Sequence, residues 1–406
     1  MPGAARPPFL LISSHDARTP RRASVHFIVD ELARLGPTRF FSAGFSALSL
    51  VAGDPRTSLL RRANRTEAVD GVECFLWLTP LHPFNPRHPR LDAAASMAFR
   101  LYARLLPPTL RRWIRESRTI LIESGLPLVF AEVAATLNPR ASLIYLASDD
   151  LGTIGCAPFL SDLLARIAPR FDWAVLPSPA LADVFPPSTR TCFVPHGLDR
   201  DAFASEATTP FEGGINAVSV GSMLFDPDFF RVASDVCPDV IFHVIGGGLN
   251  ARRLAGRNIR VHAEMAFAET LPFLRFADLG IAPYDGRRIS PYLADTSMKL
   301  MQFGHLGLPA LCPTPLDAGR PGRFGYVPGD AGSIEAAIRS ALAAGRSAPV
   351  STLTWREATD RILDPARFPD TVLQPAGSSG GGDVKARTPR AGGRSWYPGA
   401  APRQAN

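Results

Sequence analysis

Lysine is almost absent from this sequence. Of the 44 basic residues only Lys299 and Lys385 are lysines, and the other 42 are arginines. Lys385 lies in a C-terminal stretch rich in glycine, serine, proline and arginine, where no apolar periodicity predicts a helix or strand. Lys299 is therefore the one lysine in the part of the chain that patterning predicts to be folded, which makes it a candidate functional residue.

Long apolar runs and paired cysteines are missing as well. No stretch approaches the ~20 apolar residues that cross a bilayer, and the apolar run over residues 9–12 is too short for a signal peptide. The five cysteines are scattered without a C-x-x-C pair, which argues against a zinc site and indicates free thiols in a reducing compartment. We expect a cytoplasmic protein that is soluble or lies on a membrane surface.

An α/β pattern is present, and it occurs twice. Short apolar runs alternate with helical periodicity over residues 9–194 and again over 216–363. Such alternation predicts parallel sheets covered by helices. Two Rossmann-like domains, residues 1–203 and 204–373, match the GT-B outline, in which the sheets face a central cleft, and also the outline of many other two-domain α/β proteins. The last helix, about 355–363, could instead pack on the N-terminal domain, and residues 374–406 are predicted to be a disordered tail.

Lys299 is predicted to lie in the first turn of a helix in the second domain. Thr296 or Ser297 would cap that helix, which runs through Gln302. A cation at this end opposes the helix dipole unless an anion binds there. We therefore favour a pyrophosphate site over a solvated lysine.

Other candidate ligand contacts follow the strands of the second domain. Small residues at Gly221 and at 246–248 let backbone N–H groups approach a phosphate, although ordinary turns use glycine too. Glu264 could bond ribose hydroxyls and Met265 could pack on a base, with a solvent-facing turn as an equal alternative. Tyr284 could donate a hydrogen bond to a phosphate.

Two carboxylates, Asp149 and Asp150, follow a strand of the first domain. One of them could act as a general base toward a sugar hydroxyl, and capping of the next segment is an equal alternative. His15 and Arg18 lie in the polar loop after the first strand, where contact with an acceptor or a phosphate is favoured over a solvated loop.

Two further patterns bear on metals and membranes. Asp226 and Asp228 mimic an Asp-x-Asp metal motif, but Pro227 between them is typical of a helix start, so we predict a cap and no metal. Residues 87–118 hold eight arginines against two acidic residues, interleaved with apolar side chains that include Trp113. This pattern favours an anionic membrane surface over a core-facing helix pair with a basic outer side. No motif indicates nucleic-acid binding.

Several stretches resemble the GumK family of bacterial glucuronosyltransferases, which act in xanthan- and acetan-type exopolysaccharide pathways. The resemblance covers about residues 9–373. The matching stretches are SSHDARTPRRASVHF (13–27), IESG (122–125), YLASDDL (145–151), GSMLFDPDFF (221–230), FHVIGGG (242–248), IAPY (281–284) and YLADTSMKLMQ (292–302).

The resemblance implies an inverting, metal-independent GT-B enzyme without a cofactor at the cytoplasmic face of the inner membrane. Such an enzyme moves glucuronate from UDP-glucuronate to the mannose of a polyprenyl-diphosphate-linked oligosaccharide. Asp149 falls on the family's catalytic base. The family's nucleotide-site positions fall on Met223, Glu264, Met265, Tyr284, Ser297, Lys299 and Gln302.

One position departs from the family pattern, because Asp150 stands where the family has glycine after the base. The extra carboxylate could compete with Asp149 or disfavour an anionic donor sugar. Two alternatives therefore stay open: a GT-B transferase with another UDP-hexose donor, and a non-catalytic membrane-associated subunit of a polysaccharide assembly complex. Arg287 and Arg288 are candidates to bind the donor carboxylate.

Overall fold

The computed structural model describes residues 8–19, 22–51, 53–204, 206–254, 256–317 and 319–373. The tail predicted over 374–406 lies outside these residues. The described chain forms two compact units. One contains the residues up to Pro195 together with those from Trp355 onward, and the other contains His196–Thr354.

The first unit is built on one mixed sheet, which has nine strands in the described residues. In spatial order they are β15-β8-β7-β6-β5-β1-β2-β4-β3, and all pairs are parallel except the outermost ones, β3–β4 and β15–β8. The strands are β1 (Phe9–Ser13), β2 (Thr38–Phe45), β3 (Thr66–Val69), β4 (Val72–Leu78), β5 (Thr119–Glu123), β6 (Ser142–Leu146), β7 (Trp173–Leu176), β8 (Thr191–Phe193) and β15 (Val372–Leu373).

Most helices of the first unit bury apolar residues along one face. The helices of this unit are α1 (Ser24–Leu35), α2 (Ala47–Val51), α3 (Asp92–Arg104), α4 (Pro108–Glu116), α5 (Ala131–Leu137), α6 (Pro158–Ile167) and α14 (Trp355–Leu363). Prolines begin α4 and α6, where the missing N–H costs nothing and the fixed φ suits a helix.

The second unit contains a six-stranded, wholly parallel sheet within the described residues, in the order β11-β10-β9-β12-β13-β14. Its strands are β9 (Ile215–Val220), β10 (Val240–Ile245), β11 (Ile259–His262), β12 (Leu279–Ile281), β13 (Ala310–Pro313) and β14 (Arg323–Tyr326). Its helices are α7 (Arg200–Ala204), α8 (Pro227–Val236), α9 (Gly248–Ala251), α10 (Phe267–Phe276), α11 (Leu293–Thr296), α12 (Met298–His305) and α13 (Ala331–Ala344).

The units divide at different residues from those that composition suggests. Residues 196–204 belong to the second unit, where Phe203 is buried against the rings of Phe267 and His305. At the other end, α14 lies in the first unit, and its Trp355 stacks on Phe27 of α1 with ring centroids 4.8 Å apart. The predicted division at 203/204 follows a change in polarity, whereas these apolar contacts decide where each segment packs.

Candidate active site

The candidate nucleotide residues follow neighbouring strands of the second sheet. The chain proceeds from β9 outward to β10 and β11, then returns to the other side of β9 with β12. The carboxyl ends of β9 and β12 therefore flank the topological switch point, where ligands of open α/β sheets bind. Gly221 and Met223 follow β9, and Tyr284 follows β12.

Gly221 lets the turn after β9 come close to Lys299 of α12. Its φ of +85° is a left-handed conformation that favours glycine, and its carbonyl oxygen accepts a hydrogen bond from Lys299 Nζ at 3.1 Å. The chain turn after β9 and the first turn of α12 are thereby joined. This contact links two stretches that are 78 residues apart in sequence.

Ser297 caps α12, as the sequence predicts. Its hydroxyl oxygen accepts a hydrogen bond from the backbone N–H of Leu300 at 3.2 Å, and it lies 2.6 Å from the hydroxyl of Tyr284. Tyr284 is fully buried, and burial raises the pKa of its hydroxyl. Since this hydroxyl is bonded to Ser297, its predicted contact with a phosphate stays a prediction that the geometry does not favour.

Lys299 is a buried cation beside the N-terminus of α12. Its residue is 8% exposed, and burial lowers the pKa of its ammonium group to about 7. Besides the carbonyl of Gly221, the ammonium nitrogen lies 5.2 Å from the centre of the Tyr284 ring. Within the described chain, desolvation is the cause that shifts its pKa, and no carboxylate opposes the shift. A buried cation of this kind is costly, and a bound anion would relieve the cost.

The remaining predicted nucleotide residues lie around these loops. Glu264 is exposed, Met223 and Met265 are half-buried, and Gln302 is half-buried one turn beyond Lys299 on α12. A Cβ atom added to Gly246 would lie 3.7 Å from the Cα atom of Glu264, so the loops after β10 and β11 are in contact. These positions are consistent with one binding edge, and their individual contacts with a nucleotide stay predictions.

The Asp-x-Asp pair and one arginine proposed for the donor carboxylate have partners within the second unit. Asp226 caps α8 by accepting a hydrogen bond from the N–H of Asp228 at 3.0 Å, as predicted. Among the described residues no group of three or more histidine, cysteine or acidic side chains could hold a metal ion. Arg287 is paired with Asp285 at 2.9 Å and its side chain is 89% exposed. Binding of a donor carboxylate by Arg287 or Arg288 stays a prediction.

The first unit has a corresponding edge at its own switch point, between β1 and β5. Asp149 follows β6, the next strand beyond β5. It is half-buried, and its backbone N–H donates to the hydroxyl of Ser124 at 3.2 Å. A cavity of about 50 Å³ beside Asp149 and Asp150 is otherwise lined mainly by apolar side chains of the same unit.

Asp150 is engaged within its own loop. One carboxylate oxygen accepts hydrogen bonds from the backbone N–H and the hydroxyl of Thr153, at 2.8 and 2.7 Å. Asp150 therefore stabilises the turn after β6, which is the capping interpretation of the sequence. These bonds give a structural reason for an aspartate at position 150, where the family has glycine.

Arg18 is buried in a network of ion pairs. Its guanidinium donates to both carboxylate oxygens of Asp16 at 2.7 Å and to Glu67 at 2.9 Å, and Asp16 also accepts from Ser42 at 2.7 Å. The Arg18 guanidinium holds the pKa of Asp16 low against the opposing effect of burial. Arg18 holds the loop after β1, so the predicted contact with an acceptor gains no support from its position.

The segment 87–118 divides into a buried face and an exposed face. Trp113 is fully buried and packs edge-on against Phe75, so its expected exposure to a membrane is wrong. Leu110, Ile114 and Tyr102 are buried in the same way. The large apolar side chains that remain exposed on α3 are Met97 and Leu101, with Leu105 just after the helix. No helix in the described ranges is long and apolar enough to cross a membrane.

Sequence reasoning missed Glu123 as a site residue. It is the last residue of β5, is 5% exposed, and accepts a hydrogen bond from Ser13 at the end of β1. The available signal was a carboxylate ending an otherwise apolar strand, as Asp149 nearly does on the neighbouring strand. Its partner lies 110 residues away, and spacing along the chain does not reveal such a pair.

Two α/β units, each with polar residues at the switch point of its sheet, are the architecture of the GT-B fold class. The fold is similar to that of a trehalose-6-phosphate phosphatase N-terminal domain from Candida albicans, with 11% identity, 89% of this chain and 97% of that chain covered, and a TM-score of 0.55. It is also similar to a trehalose 6-phosphate synthase from Burkholderia multivorans, with 12% identity, coverage of 89% and 93%, and a TM-score of 0.54. At these identities the likeness concerns the fold alone.

Sequence comparison identifies the family within this class. Residues 11–177 match the family model for the N-terminal domain of glucuronosyltransferase GumK. Over 373 residues, the chain is 45% identical to a UDP-glucuronate:glycolipid 2-beta-glucuronosyltransferase of Xanthomonas campestris pv. campestris, covering 92% of this chain and 93% of the relative. The chain therefore belongs to the GumK family of glucuronosyltransferases, which confirms the resemblance and the GT-B fold predicted from its motifs.

Proposed function

We propose that this protein transfers glucuronic acid, with inversion and without a metal, from UDP-glucuronate to the mannose of a polyprenyl-diphosphate-linked oligosaccharide. The observation that carries the proposal is Lys299, a buried cation at the capped N-terminus of α12 beside the switch point of the second sheet. A diphosphate would supply the anion that this position lacks. The 45% identical relative, named for glucuronate transfer to a glycolipid, supports the donor and the acceptor class.

The reaction we propose is a single displacement. The acceptor hydroxyl oxygen forms a bond to the anomeric carbon while the bond from that carbon to UDP breaks, and UDP leaves with the electron pair. Asp149 accepts the hydroxyl proton as general base. Lys299 and the N–H groups at the start of α12 stabilise the charge that develops on the diphosphate, in place of a metal ion.

The position of Asp150 removes one objection to glucuronate as the donor sugar. A free second carboxylate beside Asp149 would repel an anionic sugar, but Asp150 accepts two hydrogen bonds from Thr153. These bonds orient its charge into the turn after β6. Asp150 therefore gives little reason to prefer a neutral UDP-hexose.

We further propose that α3 binds the cytoplasmic face of the bacterial inner membrane, where exopolysaccharide precursors of the xanthan and acetan type are assembled. Met97 and Leu101 are 64% and 47% exposed, and Arg100 and Arg104 are exposed on the same helix. Apolar side chains that enter the lipid boundary, with arginines near anionic headgroups, are typical of interfacial helices. A lipid-linked acceptor would be met at such a surface.

Calorimetric titration tests the proposal. UDP-glucuronate, UDP-glucose and UDP are each titrated into the protein, with and without EDTA. We expect EDTA-insensitive binding of UDP and a preference for UDP-glucuronate, and a Lys299→Met variant should bind all three weakly. Better binding of UDP-glucose would replace the donor, binding abolished by EDTA would refute metal independence, and absence of any UDP binding would favour a non-catalytic subunit.

A further inference from the structure

Glu123 is a buried carboxylate at the switch point of the first sheet. It ends β5, which lies beside β1, and these two strands flank the place where the chain changes direction across the sheet. Its side chain is 7% exposed. Burial of a carboxylate costs free energy unless hydrogen bonds or a cation compensate for the lost water. The groups that contact Glu123 therefore indicate its role.

Those partners come from the ends of two neighbouring strands. The hydroxyl of Ser13, the last residue of β1, donates to one carboxylate oxygen. The hydroxyl of Ser148, beside Asp149 after β6, lies 3.5 Å from the other oxygen as its donor. The imidazole Nε2 of His15 lies 3.7 Å from that same oxygen. Glu123 thus connects the loop after β1 with the residue next to Asp149.

The backbone and ring of His15 have partners in the first unit, and its side chain is partly exposed. Its backbone N–H donates to the hydroxyl of Ser13 at 2.8 Å, and its ring meets the ring of His26 edge-on with centroids 5.6 Å apart. Burial lowers the pKa of His26, which favours the neutral form of that ring. The other nearby carboxylate, Asp16, is bonded to Arg18. The His15 side chain remains 45% exposed, so it can contact a ligand at this edge.

We propose that His15 hydrogen-bonds a sugar hydroxyl of the acceptor, and that Glu123 is the positioning residue that orients its imidazole. The arrangement is a buried carboxylate beside one nitrogen of an imidazole whose side chain is 45% exposed. The proposal rests on the proposed function for the identity of the acceptor. Asp149 remains the general base, and His15 transfers no proton.

A purely structural role for Glu123 is less consistent with these contacts. Ser13 and Ser148 could be joined by a neutral amide or by water, without the desolvation cost of a carboxylate. A charge at this position is useful when a group beside it must be oriented. Among the described residues, the imidazole of His15 is such a group, since its Nε2 lies 3.7 Å from a Glu123 carboxylate oxygen.

The test is a double-mutant cycle on acceptor binding, measured without donor. The probe is a mannose-terminated oligosaccharide joined through a diphosphate to a short prenyl chain, titrated into the whole protein and followed by calorimetry. The variants are His15→Ala, Glu123→Gln and the double variant. Glu132→Gln is the matched control, since Glu132 is an exposed glutamate of the same unit that pairs with Arg166 at 3.0 Å.

We expect each single variant to weaken acceptor binding by about tenfold, the value of one hydrogen bond to a polar partner. The double variant should be no weaker than His15→Ala, because Glu123 acts through His15. UDP affinity, which depends on the second unit, should not change in any variant, and Glu132→Gln should bind like the unchanged protein.

Several results would overturn the proposal. Additive losses in the double variant would mean that Glu123 does not act through His15. Unchanged acceptor binding by His15→Ala, whose side chain is half-exposed and removable without unfolding, would contradict the contact even if Glu123→Gln failed to fold. If the unchanged protein binds UDP but not the probe, the acceptor itself is wrong. Failure to bind UDP would instead contradict the donor side of the proposed function.

Discussion

The pH dependence of UDP binding tests the role of Lys299 most directly. With no anion bound, burial lowers the pKa of Lys299 to about 7, and a diphosphate favours the protonated form. Binding of UDP should therefore raise the pKa of Lys299 and take up a proton above pH 7. Because the free protein loses that proton as pH rises, affinity should fall by about tenfold per pH unit above 7, until the raised pKa of the complex is reached.

The variant that removes the charge of Lys299 with little change in shape is Lys299→Met, which keeps an unbranched side chain of similar length. We expect UDP affinity at pH 7 to fall by about 10–100-fold, since a hydrogen bond to a charged group contributes about 1.5–3 kcal/mol. The pH dependence above 7 should disappear in the variant. Calorimetry at pH 7, 8 and 9 in buffers of different ionisation enthalpy measures both the affinity and the number of protons taken up.

The same substitution should stabilise the protein in the absence of UDP. A lysine with a pKa of about 10.4 in the unfolded chain and about 7 in the folded one costs stability, because the unfolded chain binds the proton more readily. The cost is absent above both pKa values, grows as pH falls from about 10 to 7, and reaches on the order of 4 kcal/mol. Lys299→Met should therefore raise Tm by several degrees at pH 7. A variant with lower Tm and unchanged, pH-dependent UDP affinity would refute the reasoning.

Three further predictions concern the first unit. Asp149→Asn should lower kcat by at least about 100-fold with UDP affinity unchanged, and near-normal turnover would contradict its role as base. Arg18→Met should lower the free energy of unfolding by about 3–5 kcal/mol, measured by urea denaturation, because Asp16 is left buried without its cation. Met97→Asp should weaken binding to anionic vesicles by about tenfold with unchanged Tm, whereas Val327→Asp, a control at an apolar residue of the second unit that is 51% exposed, should not.

Much of the fold follows from local patterns in the sequence. Runs such as FLLIS at β1 and TILIE at β5 are apolar enough to be buried on both faces, as strands of parallel sheets are. The short strands β3 and β14 were not predicted. Their sequences, TEAV and RFGY, lie at sheet edges or beside turns and carry too few apolar residues to differ from loops. Their pairing is decided by neighbouring strands that local patterns do not specify.

The candidate site was only partly predictable for a related reason. Lys299 and Ser297 could be identified because a helix start and a rare residue type are visible locally. The exposure of Trp113 was misjudged, since periodicity shows that a helix has an apolar face but not whether the core or a membrane covers it. Glu123 depends on Ser13, His15 and Ser148, whose proximity exists only after β1, β5 and β6 have paired.

An ionisable side chain is buried at the switch point of each sheet. Lys299 in the second unit and Glu123 in the first are each held by neutral groups and by one further contact, the Tyr284 ring or the His15 imidazole. The contacts of Lys299 do not compensate fully for desolvation, since burial lowers the pKa of its ammonium group to about 7, and an apolar side chain there would give a more stable fold. Such a cost persists where a ligand offsets it, and binding to the folded state alone adds about 2.7 kcal/mol of stability at a ligand concentration 100 times Kd. UDP should therefore raise Tm in the unchanged protein well beyond its effect on Lys299→Met, which separates a charge retained for a ligand from one retained for the fold.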